Sequence, residues 1–328
     1  MSLELPNKTV ILVTGACGQI GTELVAALRL KYGRDAVIAT DIHDRSKANA
    51  ENPYFQLDVL NSQGVEWLVN HLGVTQIYHL AAVLSAKGEK NPLQSWDLNM
   101  KGLLNVLETA RRQKLEKIFW PSSIAVFGSE SPRACCPQSA LTDPSTVYGI
   151  SKVAGEYWCN YYRQQYGLDI RSLRYPGLIS HTASAGGGTT DYAVEIFYQA
   201  LACRFYDCYL KPETGLPMLY MPDAVRGTLE LMDAPQEKLT VKTAYNLSGI
   251  SFTPRELAVE IGKHIPGFQI GYRPDQRQQI AESWPVSIDD RHARHDWGWK
   301  AAYDLETMVN DMIKNIQSKQ EKEAPLAS

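Results

Sequence analysis

Along the first half of the chain, short apolar runs alternate with amphipathic stretches. Thr9 to Thr14 (TVILVT) is apolar and β-rich and ends at a glycine. Gln19 to Tyr32 follows at the helical period, with Ile20, Leu24, Ala27 and Leu28 on one stripe. Further apolar runs come at Ala36 to Asp41, Pro53 to Asp58, Gln76 to Leu80 and Lys117 to Ser122. Helical patterns fit between them, notably Leu93 to Arg112, and Val147 to Tyr166 then precedes a sixth strand at Asp169 to Tyr175. Strands apolar on both faces and separated by helices predict a buried parallel sheet. Right-handed crossovers make it doubly wound.

After Pro176 the texture changes. Thr182 to Thr190 (TASAGGGTT) reads as a small-residue loop feeding a helix from Asp191 to Cys203. Thr253-Pro254-Arg255-Glu256 is a helix start, with threonine as cap, proline in the first turn and glutamate at the third position. The expected α/β fold is therefore a doubly wound parallel sheet with a smaller α-rich C-terminal substrate lobe. The expected boundaries are 7–176 with 217–250 for the sheet domain and 177–216 with 251–317 for the lobe. Residues 318–328 are polar and read as a disordered tail.

Composition narrows the class. The 328 residues are 44% hydrophobic, enough for a large core, and the net charge of -3 is dispersed. Neither nucleic acid nor a membrane surface is an expected partner. Six cysteines form no C-x-x-C and read as free thiols in a reducing compartment. Seven histidines form no H-x-x-x-H or H-E-x-x-H, so no metal is expected. No signal segment and no run of the ~18 apolar residues of a membrane helix is seen. The expected location is cytoplasmic, or the mitochondrial matrix for a processed eukaryotic chain.

The first strand runs into Gly15-Ala16-Cys17-Gly18-Gln19-Ile20-Gly21, a G-x-x-G-x-x-G triplet opening a helix. Gly15 suits the tight turn, Gly18 the approach of a pyrophosphate, and Gly21 close packing of helix on strand. The helix N-terminus, with Gln19 and Ile20, then faces phosphate charge. Asp41 closes strand two 20 residues after Gly21 and is placed to accept the adenosine ribose hydroxyls. A carboxylate there repels a 2′-phosphate, which favours NAD over NADP. Asp58, at the end of strand three, reads either as a contact to the adenine amino group or as a helix N-cap. This is a Rossmann-type pattern.

Tyr148-Gly149-Ile150-Ser151-Lys152 is Y-x-x-x-K on a predicted helix, with both functional groups on one face. A free tyrosine titrates near 10, and bringing it to about 7 takes ~4 kcal/mol. A nearby ammonium and a positive nicotinamide both favour phenolate. Ser123 sits at the end of strand five, where ligands of such sheets bind. Asn99 lies mid-helix, where an amide has no propensity reason to be.

These motifs resemble the extended short-chain dehydrogenases, the group that includes UDP-sugar epimerases and dehydratases. Tyr78-His79-Leu80-Ala81-Ala82 and Arg174-Tyr175-Pro176-Gly177 add to the likeness. The resemblance implies a tetrad of Asn99, Ser123, Tyr148 and Lys152, and cofactor contacts from Leu80, Ala81, Ala82, Tyr175 and Pro176. Ser172 to Ser180, Gly186 to Ala193, Leu84 to Glu89, Ser251 to Pro254, Ser283-Trp284-Pro285 and Ile288-Asp289-Asp290 look like the short-chain type of L-threonine 3-dehydrogenase. That likeness implies oxidation of L-threonine at C3 to 2-amino-3-ketobutyrate with NAD. It implies Tyr148 as general base, a pocket of Ser85, Ser123, Tyr148, Gly188, Thr189, Thr190 and Trp284, and a homodimer formed through Leu93–Arg112 and Val147–Tyr166. The N–H groups of Gly188, Thr189 and Thr190 open a helix and suit a carboxylate. The tetrad hydroxyl of this type is often threonine and here is Ser123. Two alternatives stay open: an NAD-containing UDP-sugar epimerase and a non-catalytic NAD-sensing protein.

Overall fold

The computed structural model describes residues 9–44, 51–183 and 186–323. Strands β1 (Ile11–Thr14), β2 (Val37–Asp41), β3 (Tyr54–Gln56), β4 (Gln76–His79), β5 (Lys117–Phe119) and β7 (Ile170–Arg171) form one sheet in the order β3-β2-β1-β4-β5-β7. Every pairing in it is parallel. Both faces are covered, as expected. Ile11 and Val13 of β1 pack with Leu24 and Leu28 of helix α1 (Gln19–Tyr32). Leu12 packs the other way, with Leu103 and Val106 of a helix from Pro92 to Gln113. A strand that buries alternate residues on opposite faces has no polar side, which is why the runs read as continuously apolar.

Two expected strands divide. Lys117 to Ser122 becomes β5 and a separate β6 (Ser122–Ser123), because Pro121 has no N–H for the ladder. Asp169 to Tyr175 becomes β7 and β8 (Leu173–Tyr175). Arg171 turns to donate to the Leu231, Met232 and Ala234 carbonyls, while β8 leaves to pair with β6 and with β9 (Tyr245–Asn246). The small β6·β8·β9 sheet thus extends the C-terminal ends of β5 and β7, under the cleft described below.

Beyond Pro176 a third core gathers Ile179, Tyr192, Phe197, Met218, Leu257 and Met308. The expected helix starts at Tyr192 and runs to Cys203. The Thr253 capping box is formed in full, with Glu256 answering the cap at the head of the Pro254–His264 helix. The last helix spans Leu305–Glu323, so residues 318–323, expected to be disordered, are helical. Its earlier turns are anchored by Met312 and Ile316, and the lysine, glutamine and glutamate that follow propagate a helix well.

Candidate active site

The sheet's C-terminal edge opens where β1 is flanked by β2 on one side and β4 on the other. His79 Nδ1 and Thr14 Oγ1, 2.7 Å apart, clasp the ends of β4 and β1 just where the chains part. Into the gap fit the glycine turn and the Leu80–Val83 segment. Gly15 has φ +69°, and a Cβ there would meet Ala81 N at 2.6 Å. A Cβ on Gly21 would meet Gly15 O at 2.3 Å, whereas on Gly18 the nearest atom is 3.3 Å away. The first and third glycines are thus demanded by packing, and the second is less closely confined. Among the described residues, helix α1 starts at this turn with no side-chain cap and no acidic residue in its first turn, and Gln19 Nε2 is buried without a partner. An uncapped helix start beside an orphaned amide suits the phosphates of a dinucleotide. The residues present therefore fit an NAD-type cofactor.

Asp41 is buried at the end of β2, accepting the Cys17 N–H at 3.0 Å and the His43 N–H at 3.3 Å. Asp58 is exposed and accepts the Leu60 N–H at 2.9 Å. The N-cap alternative for Asp58 is corrected: the following helix (Ser62–Leu72) is capped by Asn61, whose Oδ1 accepts the Gly64 N–H at 3.0 Å.

A cleft of about 280 Å³ runs from the glycine turn across the sheet edge. Gly15, Gly18, Gln19, Ile20 and Gly21 line one end, with Leu80, Ala82, Tyr175 and Pro176 beside them. The Tyr175 hydroxyl is bonded to Thr228. Ser123, Tyr148 and Lys152 line the middle, and Ser85, Gly188, Thr189, Thr190 and Trp284 the other end. Asp41, Asp58, Ala81 and Asn99 are not on the lining.

Tyr148 sits in the first turn of a helix from Val147 to Tyr166, capped by Thr146, whose Oγ1 accepts the Gly149 N–H at 3.0 Å. A Cβ at Gly149 would be 2.2 Å from Ala125 O, so this turn is seated directly on the chain that follows Ser123. Lys152 is 3% exposed; its Nζ donates to Pro121 O at 2.6 Å and lies 4.4 Å from the Trp120 ring centroid. Burial pushes this ammonium down to about 7, against the upward pull of Cys159 and Glu156. Burial also pushes the Tyr148 phenol up to about 12, and a hydrogen bond with Ser123 draws it part of the way back. The expected lowering of the phenol by Lys152 does not emerge in the protein alone: burial raises the phenol and the Ser123 hydrogen bond is what lowers it, because desolvation disfavours both charged forms.

Asn99 is buried within the Pro92–Gln113 helix, and its amide is spent. Oδ1 accepts the Val83 N–H at 2.8 Å, and Nδ2 donates to Val83 O at 3.1 Å and Ser151 Oγ at 3.2 Å. It fixes the Val83 loop against the tyrosine helix from behind the cleft wall. At the far end, Ser85 Oγ and Thr189 Oγ1 stand 3.2 Å apart. One expectation is overturned here: the Gly188 N–H, with that of Gly187, donates to Asp191 Oδ2 at 2.8 Å. It is therefore taken, while no hydrogen bond engages the Thr189 or Thr190 N–H among the described residues. Trp284 belongs both to the third core and to the cleft wall. Among the lining residues that sequence reasoning missed are Val83, Leu84, Lys87, Ser122 and Asp191. Adjacency to Ala82, Ser85 and Ser123 was the signal for Val83, Leu84 and Ser122, and the helix start after Thr190 for Asp191.

Residues 11–248 match the NAD dependent epimerase/dehydratase family. The chain belongs to that family. Within it, the chain is 45% identical to the mitochondrial L-threonine 3-dehydrogenase of Bos taurus, over 92% of this chain and 81% of the bovine one. The holo L-threonine dehydrogenase of Cupriavidus necator superposes with a TM-score of 0.91 at 52% identity, covering 94% of this chain and 99% of that one. A metagenomic enzyme described as a monomeric L-threonine 3-dehydrogenase gives 0.90 at 47%, covering 94% and 99%. The resemblance drawn from the motifs therefore holds, and the protein groups with the dehydrogenases of its family.

Proposed function

We propose that the protein is an NAD-dependent L-threonine 3-dehydrogenase that oxidises C3 of L-threonine to give 2-amino-3-ketobutyrate. The observation that carries this reading is the convergence of Ser123, Tyr148 and Lys152 with Ser85, Thr189 and Trp284 on one cleft. Similarity to L-threonine dehydrogenases over more than nine-tenths of the chain supports it.

The uncapped start of α1 would hold the pyrophosphate, Asp41 the adenosine ribose hydroxyls, and Lys152 the nicotinamide ribose. Asp41 disfavours a 2′-phosphate, so the cofactor is NAD. When bound, it supplies the hydride acceptor. Ser123 orients the substrate hydroxyl, and Tyr148 takes its proton as general base, a role worth ~10²–10⁴-fold. The Lys152 ammonium is the chain's own source of positive charge for the phenolate. Asn99 acts from behind, holding Val83 and the Tyr148 helix together. The Thr189 and Thr190 N–H groups are the donors left for the substrate carboxylate. The protein works as a homodimer in a reducing compartment, the cytoplasm or a mitochondrial matrix.

The test is NADH formation from NAD⁺ and L-threonine, with NADP⁺, L-serine and D-threonine alongside. A rate that greatly exceeds the controls is expected. No rate with any of them would remove the substrate assignment.

A further inference from the structure

One turn beyond Lys152, the tyrosine helix carries a second buried ionisable residue. Glu156 is four residues on, so it shares the Lys152 face, and it is 4% exposed. Arg174 of β8 grips it with two hydrogen bonds, Nε to Oε1 at 2.8 Å and Nη2 to Oε2 at 2.7 Å. Ser122 Oγ of β6 also donates to Oε1, at 2.6 Å. Ser122 and Ser123 pair in register with Arg174 and Tyr175, so the ion pair lies directly behind the wall that presents Ser123.

The chain of contacts continues outward. Arg174 Nη1 donates to Gln138 O at 3.0 Å and to Asn246 Oδ1 at 3.3 Å. Asn246 Nδ2 donates to the carbonyls of Cys136 and Asp289, both at 3.2 Å. Those two residues are already joined, since the Asp289 N–H donates to Cys136 O at 2.9 Å. Trp284, which also lines the cleft, lies five residues before Asp289. An unbroken line of hydrogen bonds thus runs from Ser122 through Glu156, Arg174 and Asn246 to the Trp284 segment.

A buried ion pair is a poor device for stability alone, because apolar residues of similar volume often serve as well. A planar, bidentate guanidinium–carboxylate pair supplies direction instead. We propose that Glu156 and Arg174 are positioning residues that set the Ser122–Ser123 wall and the Trp284 segment against the helix carrying Tyr148 and Lys152. The catalytic side of this inference rests on the dehydrogenase reading above. Its physical side is independent of it.

Two variants of the full chain test the strut, Glu156→Gln and Ser122→Ala. The second leaves the ion pair intact and decides the matter if the first does not fold. The measurements are NAD⁺ affinity by calorimetry, kcat and KM for L-threonine, and amide hydrogen exchange. NAD⁺ affinity is expected within about twofold of wild type in both. The kcat should fall by up to about 10²-fold in Glu156→Gln, as for a misplacement of ~1 Å, and less in Ser122→Ala. Exchange should quicken locally at 136–138 and 287–289 in Glu156→Gln, and at 122–125 in Ser122→Ala. Unchanged kcat and KM, with exchange unaltered in those segments or altered only uniformly, would overturn the proposal. If wild type itself leaves L-threonine untouched, the dehydrogenase reading fails and the exchange pattern alone decides the strut.

Discussion

Lys152 Nζ donates to Pro121 O at 2.6 Å and lies 5.4 Å from the centroid of the Tyr148 ring. The Lys152 amino group is therefore tied to the chain just before Ser122–Ser123, beside the Tyr148 ring. With the phenol at about 12 in the protein alone, ionisation would limit Tyr148 in its proposed role as base at neutral pH. The phenolate fraction grows about tenfold per pH unit below that value, so kcat/KM for L-threonine is expected to rise with pH from neutral toward alkaline. Tyr148→Phe should lose ~10²–10⁴-fold in kcat and keep its NAD⁺ affinity. Ser123→Ala should move the alkaline limb to higher pH, since its hydrogen bond draws the phenol down. A Ser123→Ala profile superimposable on wild type would sink that assignment.

Burial holds Lys152 at about 7, below its ordinary value of 10.5. Between these values the unfolded chain keeps a proton that the folded one has released, so this group makes stability rise with pH in that window. Below pH 7 both states are protonated and the full penalty for the buried charge is present. Lys152→Met should therefore raise the Tm of the cofactor-free protein at pH 6, with the gain shrinking toward pH 10. Calorimetry at pH 6, 8 and 10 reads this, and a gap independent of pH would contradict it.

The glycine turn separates packing from ligand approach. Gly21→Ala would force a methyl against Gly15 O, within 2.3 Å, and should cost about 1–3 kcal/mol of stability. Gly18→Ala meets only Gly15 O, at 3.3 Å, and should lower the Tm less than Gly21→Ala does, yet bind NAD⁺ more weakly. Paired thermal melts and NAD⁺ titrations distinguish the two, and equal effects of both substitutions would refute the division.

Asp41 accepts the Cys17 N–H, so its carboxylate is anchored to the glycine turn. Asp41→Ser should lower the ratio of kcat/KM for NAD⁺ over NADP⁺ by at least about tenfold, since it removes the charge that repels a 2′-phosphate. An unchanged ratio would place the discrimination elsewhere.

The outer face of the tyrosine helix shows Ile150, Tyr157, Trp158 and Tyr161 to solvent, with Tyr157 65% exposed. Apolar and aromatic side chains clustered on one helix face suit an interface with a second copy. Trp158→Glu should convert a dimer to monomers in sedimentation velocity at micromolar concentration. A wild-type protein that sediments as a monomer would remove the dimer from the proposal, and one similar enzyme is described as monomeric.

Much of the framework was legible because it is local. The Gln19–Tyr32 and Val147–Tyr166 helices and the Thr253 capping box follow from spacing within one segment, where periodicity and caps act over a few residues. The G-x-x-G-x-x-G turn and Y-x-x-x-K likewise place their groups by local geometry. The division of Asp169 to Tyr175 between two sheets was not legible, because Arg171 and Arg174 are drawn to partners far along the chain, at Leu231 and Asn246. Nor could spacing show that Asn99 spends its amide on Val83 and Ser151, or that Asp191 takes the Gly188 N–H.

By itself the sequence determined the order of strands and helices, the glycine turn and the tyrosine–lysine pair, since each depends on neighbours within a turn or a strand. The tertiary structure alone decided the partners and charge states. Ser85 meets Thr189 across 104 residues, and Glu156 answers both Ser122 and Arg174. Burial sets Tyr148 and Lys152 against their ordinary titration. Buried polar groups must find partners wherever packing brings them, and desolvation is a property of the whole enclosure rather than of any segment.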